Sequence, residues 1–369
     1  MGHVSAPAHP AARRGVHAFF YLWYKTPAID GEWQHWNHRI LPHWNQNERD
    51  RWPHDVRFEP PADFGASFAP RDGLYSSADE HVLARQFAQM REAGVTAAAL
   101  SWSGRPDVPT AHDGEGVRTD ALVPLVMRVA ERERGQIIFH LEPSEHRTPE
   151  SVRLDLEYIV DRYGASPAFY RDAHTRLPFY YVYDSYHNSP EQWGELLLPS
   201  GRITIRGDPR LDATMIGIVL DHADVAKLAR GGFQGAYPYF AADGFSYAAT
   251  ARNWPALAAA CASHSLLFVP SVGPGYDDSR IRPWNAQTRR AREHGAVYAR
   301  AWAAALGSVS PAPAAVSITS WNEWGEGTQI EPVRPHVTPS GRVLDDYQPE
   351  GGDLYLRLTA EWAAKLQRQ

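Results

Sequence analysis

Short apolar runs and longer helical runs alternate eight times along the 369 residues, and this alternation constrains the fold more than any other feature. Several of the short runs are apolar at nearly every position, which is typical of parallel strands covered on both faces. Eight strand–helix units in one chain predict an α/β fold, a single (β/α)8 TIM barrel, with a doubly wound sheet as the alternative. The predicted strands are 17–23, 97–102, 136–142, 178–184, 213–221, 235–240, 266–272 and 315–321.

The segments between these strands carry helix start and stop signals. Ser77 with Glu80 fits a capping box, and Gly94 can end the helix that follows. Another helix is predicted over 285–307. We find no internal repeat and no linker, so the sequence predicts one catalytic domain, 16–369, after a flexible N-terminal segment, 1–15.

Charge and cysteine content exclude several classes of partner. The formal net charge is −6, which argues against a nucleic-acid partner. Cys261 is the single cysteine, so neither an internal disulfide nor a cysteine-based metal site is expected. No apolar run approaches the roughly 18–20 residues of a membrane span, and residues 1–15 lack the apolar core of a signal peptide. We expect a monomer, and the compartment stays open.

Polar and aromatic residues follow the predicted strands at their carboxyl ends, where barrel active sites are built. The long loop 25–76 is rich in Trp, His, Pro and Asn, and it is expected to lie over the same mouth. For Tyr183, as for His140, an orientation into the barrel is the alternative. The predicted substrate-binding residues are Tyr24, His35, Trp102, Ser103, Glu142, Tyr183, Tyr237, Tyr239, Arg282, Trp284, Trp321 and Asn322.

Glu323 and Glu326 follow the last predicted strand and are the candidate catalytic residues. Glycoside hydrolysis commonly needs two carboxyl groups, one acid and one base or nucleophile. Positions three apart on a strand face opposite ways, but Gly325 and Gly327 permit a turn that brings both carboxyls to one side. Burial among tryptophans is expected to raise at least one pKa. The alternative is that one Glu only pairs with an arginine.

His35 and His38 have a spacing that fits a metal site, but no third ligand is evident at a suitable spacing. We therefore favour hydrogen bonding to substrate or backbone and expect no metal. The sequence has no P-loop and no dinucleotide fingerprint after a strand, so no cofactor is expected.

At these same residues the chain resembles glycoside hydrolase family 99, the endo-α-1,2-mannosidases and mannanases. The most specific segment runs from Trp321 to Glu331, and the resemblance spans about 17–365. Other matching segments are Phe20–Tyr24, His35–His38, Leu100–Trp102, Phe139–Pro143, Tyr181–Tyr186, Pro270–Tyr276 and Arg282–Asn285.

The resemblance implies a retaining enzyme that cleaves an internal α-1,2-mannosidic bond in high-mannose N-glycans or mannan and releases a Glc/Man-α-1,3-Man disaccharide. It also implies different roles for the two glutamates. Glu323 would deprotonate the sugar 2-hydroxyl, giving a 1,2-anhydro sugar, and Glu326 would protonate the departing oxygen and then activate water. An endo-glycosidase acting on another α-glycan and a non-catalytic glycan-binding protein are the alternatives.

The chain departs from the family pattern at Ser103-Gly104, where an aromatic residue is usual, and at Ser144, where tyrosine is frequent. The resemblance implies that both positions lie in the subsite beyond the cleaved mannose. The departures leave the choice between glucose-capped and mannose-capped substrates open and predict a more open subsite. The alternative is that another residue, for example from 25–76, fills the gap.

Overall fold

The computed structural model describes residues 14–144, 147–173, 175–309 and 312–369. Most of the predicted flexible segment 1–15 lies outside the described residues, and its last residue, Gly15, begins the first strand. The strands are β1 Gly15–Phe20, β2 Ala69–Pro70, β3 Ala97–Trp102, β4 Ile137–Leu141, β5 Phe179–Val182, β6 Thr214–Ile218, β7 Gly235–Tyr237, β8 Leu267–Phe268, β9 Ser271–Val272, β10 Ala315–Ile318 and β11 Val333–Arg334.

Nine of these strands form one parallel sheet in the order β8-β7-β6-β5-β4-β3-β1-β10-β9. The strands at its two ends, β8 and β9, are pieces of one extended segment, so the sheet curls back on itself. Val269 N–H donates to the Ala236 carbonyl on one side at 2.9 Å, and the Pro270 carbonyl accepts from Ser317 N–H on the other at 2.9 Å. The predicted (β/α)8 fold is confirmed, with the seventh strand divided in two.

Helices cover the outside of the sheet. Asp79 caps α2 by accepting from His81 and Val82 N–H, so the cap lies two residues beyond the predicted Ser77. The predicted helix 285–307 is also shorter, because Gly295 adopts a φ of +88° and the α-helix begins only after it. The helices are α1 Pro27–Asp30, α2 Glu80–Glu92, α3 Val123–Arg132, α4 Pro149–Tyr163, α5 Pro190–Leu197, α6 Asp224–Arg230, α7 Trp254–Ser263, α8 Ala296–Gly307 and α9 Leu354–Gln367.

The core has two layers because successive side chains of a strand point to opposite faces. In β1, Phe20 packs in the outer layer against the helices, whereas Phe19 packs inside the barrel. The inner layer is unusually aromatic and includes Tyr181 and Tyr237, both fully buried. Within the described part of the chain, we find no helix long and apolar enough to cross a membrane.

Candidate active site

A cavity of about 340 Å³ opens at the carboxyl ends of the strands. Both candidate catalytic residues line it, together with side chains from β1, β3, β4, β5, β7 and their following loops. Its lining residues are Tyr21, Trp23, Ser101, Ser103, His112, Asp113, Gly114, Thr119, His140, Glu142, Pro143, Tyr183, Tyr239, Arg282, Glu323 and Glu326.

The chain leaves strand geometry directly after β10, and this brings Glu323 and Glu326 to the same cavity. Trp321 N–H still donates to the Phe19 carbonyl of β1 at 2.7 Å, but Glu323 N–H donates to the Ser320 hydroxyl at 2.8 Å. A side chain at Gly325 would come within 3.2 Å of a Glu323 carboxyl oxygen. Glycine there keeps the space open, and we call 321–327 the carboxylate turn.

The two carboxyl groups have different surroundings. Glu323 is only 6 % exposed. Burial, and then the nearby charge of Glu326, raise the pKa of Glu323 well above its usual range, while Arg282 and the backbone N–H groups of Gly325 and Glu326 act in the opposite direction. Glu326 is more open to solvent and accepts from Arg282 Nη1 at 2.9 Å. Two like groups in unlike environments are the usual basis of acid and base assignments.

Arg282 compensates the negative charge on this side of the cavity. Burial opposes its charge, but Glu326, Tyr276 and Asp278 outweigh burial and raise the Arg282 pKa further. Its Nη1 atom also lies 3.2 Å from Asp278 Oδ2. Because the guanidinium bonds both carboxylates, it holds Glu326 in place and keeps acidic groups together that would otherwise repel.

Tyrosine hydroxyl groups form the barrel side of the cavity. Those of Tyr21 and Tyr239 hydrogen-bond each other, and Tyr183 packs with its ring centroid 4.9 Å from that of Tyr239. Burial raises the pKa of Tyr21 well above its usual range, and the charge of Glu323 adds to the shift. Both hydroxyls are therefore protonated at neutral pH, and the one that accepts in this pair keeps its own proton for donation to a sugar oxygen.

A third carboxylate, Glu142, lines the cavity from the end of β4. Its Oε1 atom accepts from the Ser101 hydroxyl at 2.7 Å and lies 3.2 Å from His140 Nδ1. The other ring nitrogen of His140 is 2.8 Å from the Tyr237 hydroxyl inside the barrel. Glu142 is thus fixed by side chains from two neighbouring strands.

The chain has Ser103-Gly104 where the family usually has an aromatic residue. The loop after β3 folds back over this position. The Ser103 hydroxyl donates to the Ala111 carbonyl at 3.3 Å, and a side chain at Gly104 would come within 3.1 Å of the Ala111 Cβ. The residues that follow, His112 and Asp113, line the cavity. The β3 loop therefore occupies the space beside Ser103 and Gly104, and the prediction of a more open subsite stays a prediction.

Several predicted site residues lie behind the cavity wall. The Tyr24 hydroxyl donates to the Asn322 carbonyl at 2.9 Å and accepts from Trp324 N–H at 3.0 Å. Asn322 is bonded to the backbone of Tyr21, and Trp321 is fully buried. These residues support the carboxylate turn and do not line the cavity.

The remaining predicted residues also stand back from the cavity. Trp102 points to the helix layer, where its indole donates to Asp120 at 2.9 Å. Tyr237 lies deeper in the barrel, and the Trp284 indole donates to the Leu41 carbonyl at 3.0 Å. His35 stacks on Trp23, which does line the cavity, with ring centroids 4.3 Å apart.

Some residues that line the cavity were not predicted, although strand periodicity points to them. Ser101 faces the cavity, like the predicted Ser103, because both lie one residue from Trp102, whose side chain points the other way. The same alternation along and beyond β1 selects Tyr21 and Trp23. No comparable signal exists for His112 and Asp113.

His35 and His38 have other hydrogen-bond partners than a shared metal ion in the part of the chain that the structure describes. His35 Nε2 is 2.8 Å from Asp113 Oδ2, and His38 Nδ1 is 2.6 Å from the Arg39 carbonyl. Burial and the neighbouring His35 lower the pKa of His38 to about 4. Among the described residues, no group of three or more His, Cys, Asp or Glu side chains is arranged to hold a metal ion.

A TIM barrel with paired glutamates, a third carboxylate and aromatic hydroxyls at its mouth has the groups that a glycoside hydrolase needs. The model of glycosyl hydrolase family 99 matches residues 12–368, and the chain belongs to that family. The resemblance seen in the sequence is confirmed.

Similar proteins support this assignment over nearly the whole chain. The rat glycoprotein endo-α-1,2-mannosidase is 41% identical over 96% of this chain and 75% of its own length. A human glycoprotein endo-α-1,2-mannosidase-like protein is 41% identical over 94% of this chain and 75% of its own length. The structure of the GH99 endo-α-mannosidase from Bacteroides thetaiotaomicron is 35% identical, with a TM-score of 0.86, and covers 96% of this chain and 97% of that one.

Proposed function

We propose that the chain is a retaining endo-α-1,2-mannosidase that cleaves an internal bond in high-mannose N-glycans or mannan and releases a Glc/Man-α-1,3-Man disaccharide. The observation that carries the proposal is that Glu323 and Glu326 share one turn and one cavity. Support for the linkage comes from the relatives named endo-α-1,2-mannosidase, at 41% identity.

The proposed first step uses both carboxyl groups. The Glu323 carboxylate takes the proton of the mannose 2-hydroxyl, and that oxygen attacks C1 from the face opposite the leaving group. The bond from C1 to the leaving oxygen breaks, and Glu326 donates its proton to that oxygen. The products are the shortened glycan and a 1,2-anhydro sugar.

The second step reverses the proton movements. Glu326, now a carboxylate, takes a proton from water, and the water oxygen attacks C1. The bond from C1 to the 2-oxygen opens, and the 2-oxygen recovers its proton from Glu323. Two inversions at C1 leave the product with the α configuration of the substrate.

The division of roles follows the resemblance to family 99, and the surroundings of the two glutamates give each group a property that its role uses. A sugar hydroxyl is a weak acid, so the base that accepts its proton benefits from the raised pKa of Glu323. Glu326 is the more solvent-exposed of the two, which suits a group that must meet a departing oxygen and then a water molecule. Arg282 holds its carboxyl in place.

Digestion of defined oligosaccharides with a Glc- or Man-α-1,3-Man-α-1,2-Man terminus tests the proposal. We expect a disaccharide, sized by mass spectrometry, that carries the α anomer when first observed by NMR. Release of single sugars would contradict endo action, and a first-formed β anomer would contradict retention. Binding without cleavage would indicate a glycan-binding protein, and turnover of another α-glycan alone would indicate a different specificity.

We place the subsite beyond the cleaved mannose at the β3 loop and expect it to discriminate by hydrogen bonding, because His112 and Asp113 of that loop line the cavity. Comparing kcat/KM for glucose-capped and mannose-capped substrates in the parent and in His112→Ala tests this. A preference that is unchanged in the variant would remove the role of His112.

A further inference from the structure

A buried polar network lies behind the carboxylate turn, outside the cavity. Glu331 and Tyr75 are 5 % and 6 % exposed, and Gln86 of α2 is 1 % exposed. The Tyr75 hydroxyl donates to Glu331 Oε2 at 2.8 Å, and Gln86 Nε2 donates to Glu331 Oε1 at 2.8 Å. Both carboxyl oxygens of Glu331 therefore accept from neutral donors that come from other parts of the chain.

The same tyrosine oxygen accepts two hydrogen bonds from the turn. Trp324 Nε1 donates to it at 3.1 Å, and Asn322 Nδ2 donates to it at 3.3 Å. A phenol can donate one bond and accept two, so this hydroxyl is fully used. Its two donors are the residues on either side of Glu323. One oxygen atom therefore joins the two flanks of the candidate base.

Glu331 determines the direction in which that hydroxyl points. If its proton is directed at the Glu331 carboxylate, both lone pairs face the turn. Without an acceptor at Glu331, the hydroxyl proton of Tyr75 could turn toward the Trp324 and Asn322 donors. It would then occupy a position around the oxygen that one of their hydrogen bonds needs. Burial disfavours the charged form of a carboxyl group. It raises the pKa of Glu331 to about 7, although the hydrogen bonds from Gln86 and Tyr75 lower that pKa.

We propose that Glu331 is a positioning residue, acting through Tyr75, that fixes the turn in the conformation which aims Glu323 at its substrate. The proposal rests on the proposed function, in which Glu323 is the base. Neither Glu331 nor Tyr75 lines the cavity, so their loss should leave substrate binding largely unchanged. Their loss should lower the rate of the chemical step, because a small displacement of a reacting group lowers the rate strongly.

Tyr75→Phe is the first test because it removes only the oxygen atom. We expect kcat on the parent's best oligosaccharide to fall about tenfold or more while KM changes less than about twofold. The matched control is Tyr298→Phe, which removes an equally buried hydroxyl bonded to Thr359 at 2.9 Å between α8 and α9. The control should lower thermal stability without changing kcat. Equal loss of kcat in both variants, or parental kcat in Tyr75→Phe, would overturn the proposal.

A pair of substitutions at Glu331 separates positioning from packing. Glu331→Met keeps the volume and removes the acceptor, whereas Glu331→Gln keeps one acceptor oxygen. We expect the methionine variant to lose kcat about as strongly as Tyr75→Phe, and the glutamine variant to regain most of it. Both should stay folded, because each removes a buried charge. Equal kcat in the two variants would overturn the proposal.

The exchange rate of the Trp324 indole proton, followed by NMR, reports the bond without any substrate. We expect faster exchange in Tyr75→Phe and in Glu331→Met, and parental exchange in Tyr298→Phe. Unchanged exchange in the first two variants would overturn the positioning proposal. A parent protein that shows this pattern but cleaves no α-1,2-mannoside would instead contradict the proposed function.

Discussion

Arg282 Nη1 donates to Glu326 Oε1 at 2.9 Å and lies 3.2 Å from Asp278 Oδ2. One guanidinium thus bonds a candidate catalytic carboxyl and a fully buried acidic residue. Glu323, by contrast, is buried, and burial raises its pKa more than the charge of Arg282 and then the backbone N–H groups of Glu326 and Gly325 lower it. The contrast explains why two glutamates three residues apart can have different chemistry.

Replacing Arg282 is expected to move the acid limb of the pH profile. Arg282 lowers the pKa of Glu323, so Arg282→Met should raise that pKa further. Since Glu323 is the proposed base, kcat/KM at pH 5 should then fall by roughly tenfold or more, with partial recovery at higher pH. Arg280→Met is the control, because Arg280 bonds Asp63 and stacks on Phe58 instead. A uniform loss at every pH would contradict the electrostatic explanation.

The pH dependence of Glu326→Gln separates the roles of the two glutamates. On a substrate with a fluoride leaving group, which needs no acid, only ionised Glu323 is required. We expect kcat/KM to rise with pH to a plateau, with a midpoint below the acid limb of the parent, because the charge of Glu326 raises the Glu323 pKa. Activity that falls as pH rises would mean that Glu323 acts as an acid.

The sequence predicted the order of the strands well and their continuity less well. The seventh strand was predicted as a single run, 266–272, but Pro270 has no N–H and interrupts the ladder between β8 and β9. The predicted carboxylate turn depends on local glycines, and its residues lie where the sequence placed them, at the mouth. Trp102 was predicted to line the cavity but points to the helix layer, because its neighbours Ser101 and Ser103 are the residues that face the cavity.

Contacts between distant parts of the chain were beyond sequence reasoning. His112 reaches the cavity because the β3 loop is anchored through Asp113 to His35, 78 residues away. The bond from Tyr75 to Glu331 spans 256 residues. Neither contact has a periodic or spacing signal, since each depends on how loops pack across the barrel mouth.

Glu323→Gln should stabilise the fold. A carboxyl whose pKa is raised in the folded state binds its proton more tightly there than in the unfolded chain. The parent therefore loses stability as pH rises from the unfolded pKa through the raised folded pKa. The variant lacks this loss, and we expect its Tm at neutral pH to exceed that of the parent by on the order of 2 °C. The Tm difference should shrink at pH 4. A lower Tm at neutral pH would contradict this account.

Turnover should not depend on a metal ion. The candidate mechanism moves protons only between glutamates, sugar and water. We therefore expect full activity after prolonged dialysis against a chelator. Complete loss that one divalent ion restores would require a different mechanism, with His35 and His38 as the first residues to test.

The rates of disaccharide release by the parent, Glu323→Gln and Glu326→Gln test the central claim most directly. On a natural oligosaccharide with a terminal Man- or Glc-α-1,3-Man-α-1,2-Man unit, each substitution should lower kcat/KM by about a thousandfold or more, because each removes a proton transfer from the reaction. On a fluoride substrate, Glu326→Gln should retain much more activity than Glu323→Gln. Near-parental release of the disaccharide by both variants would contradict the assignment of these two residues.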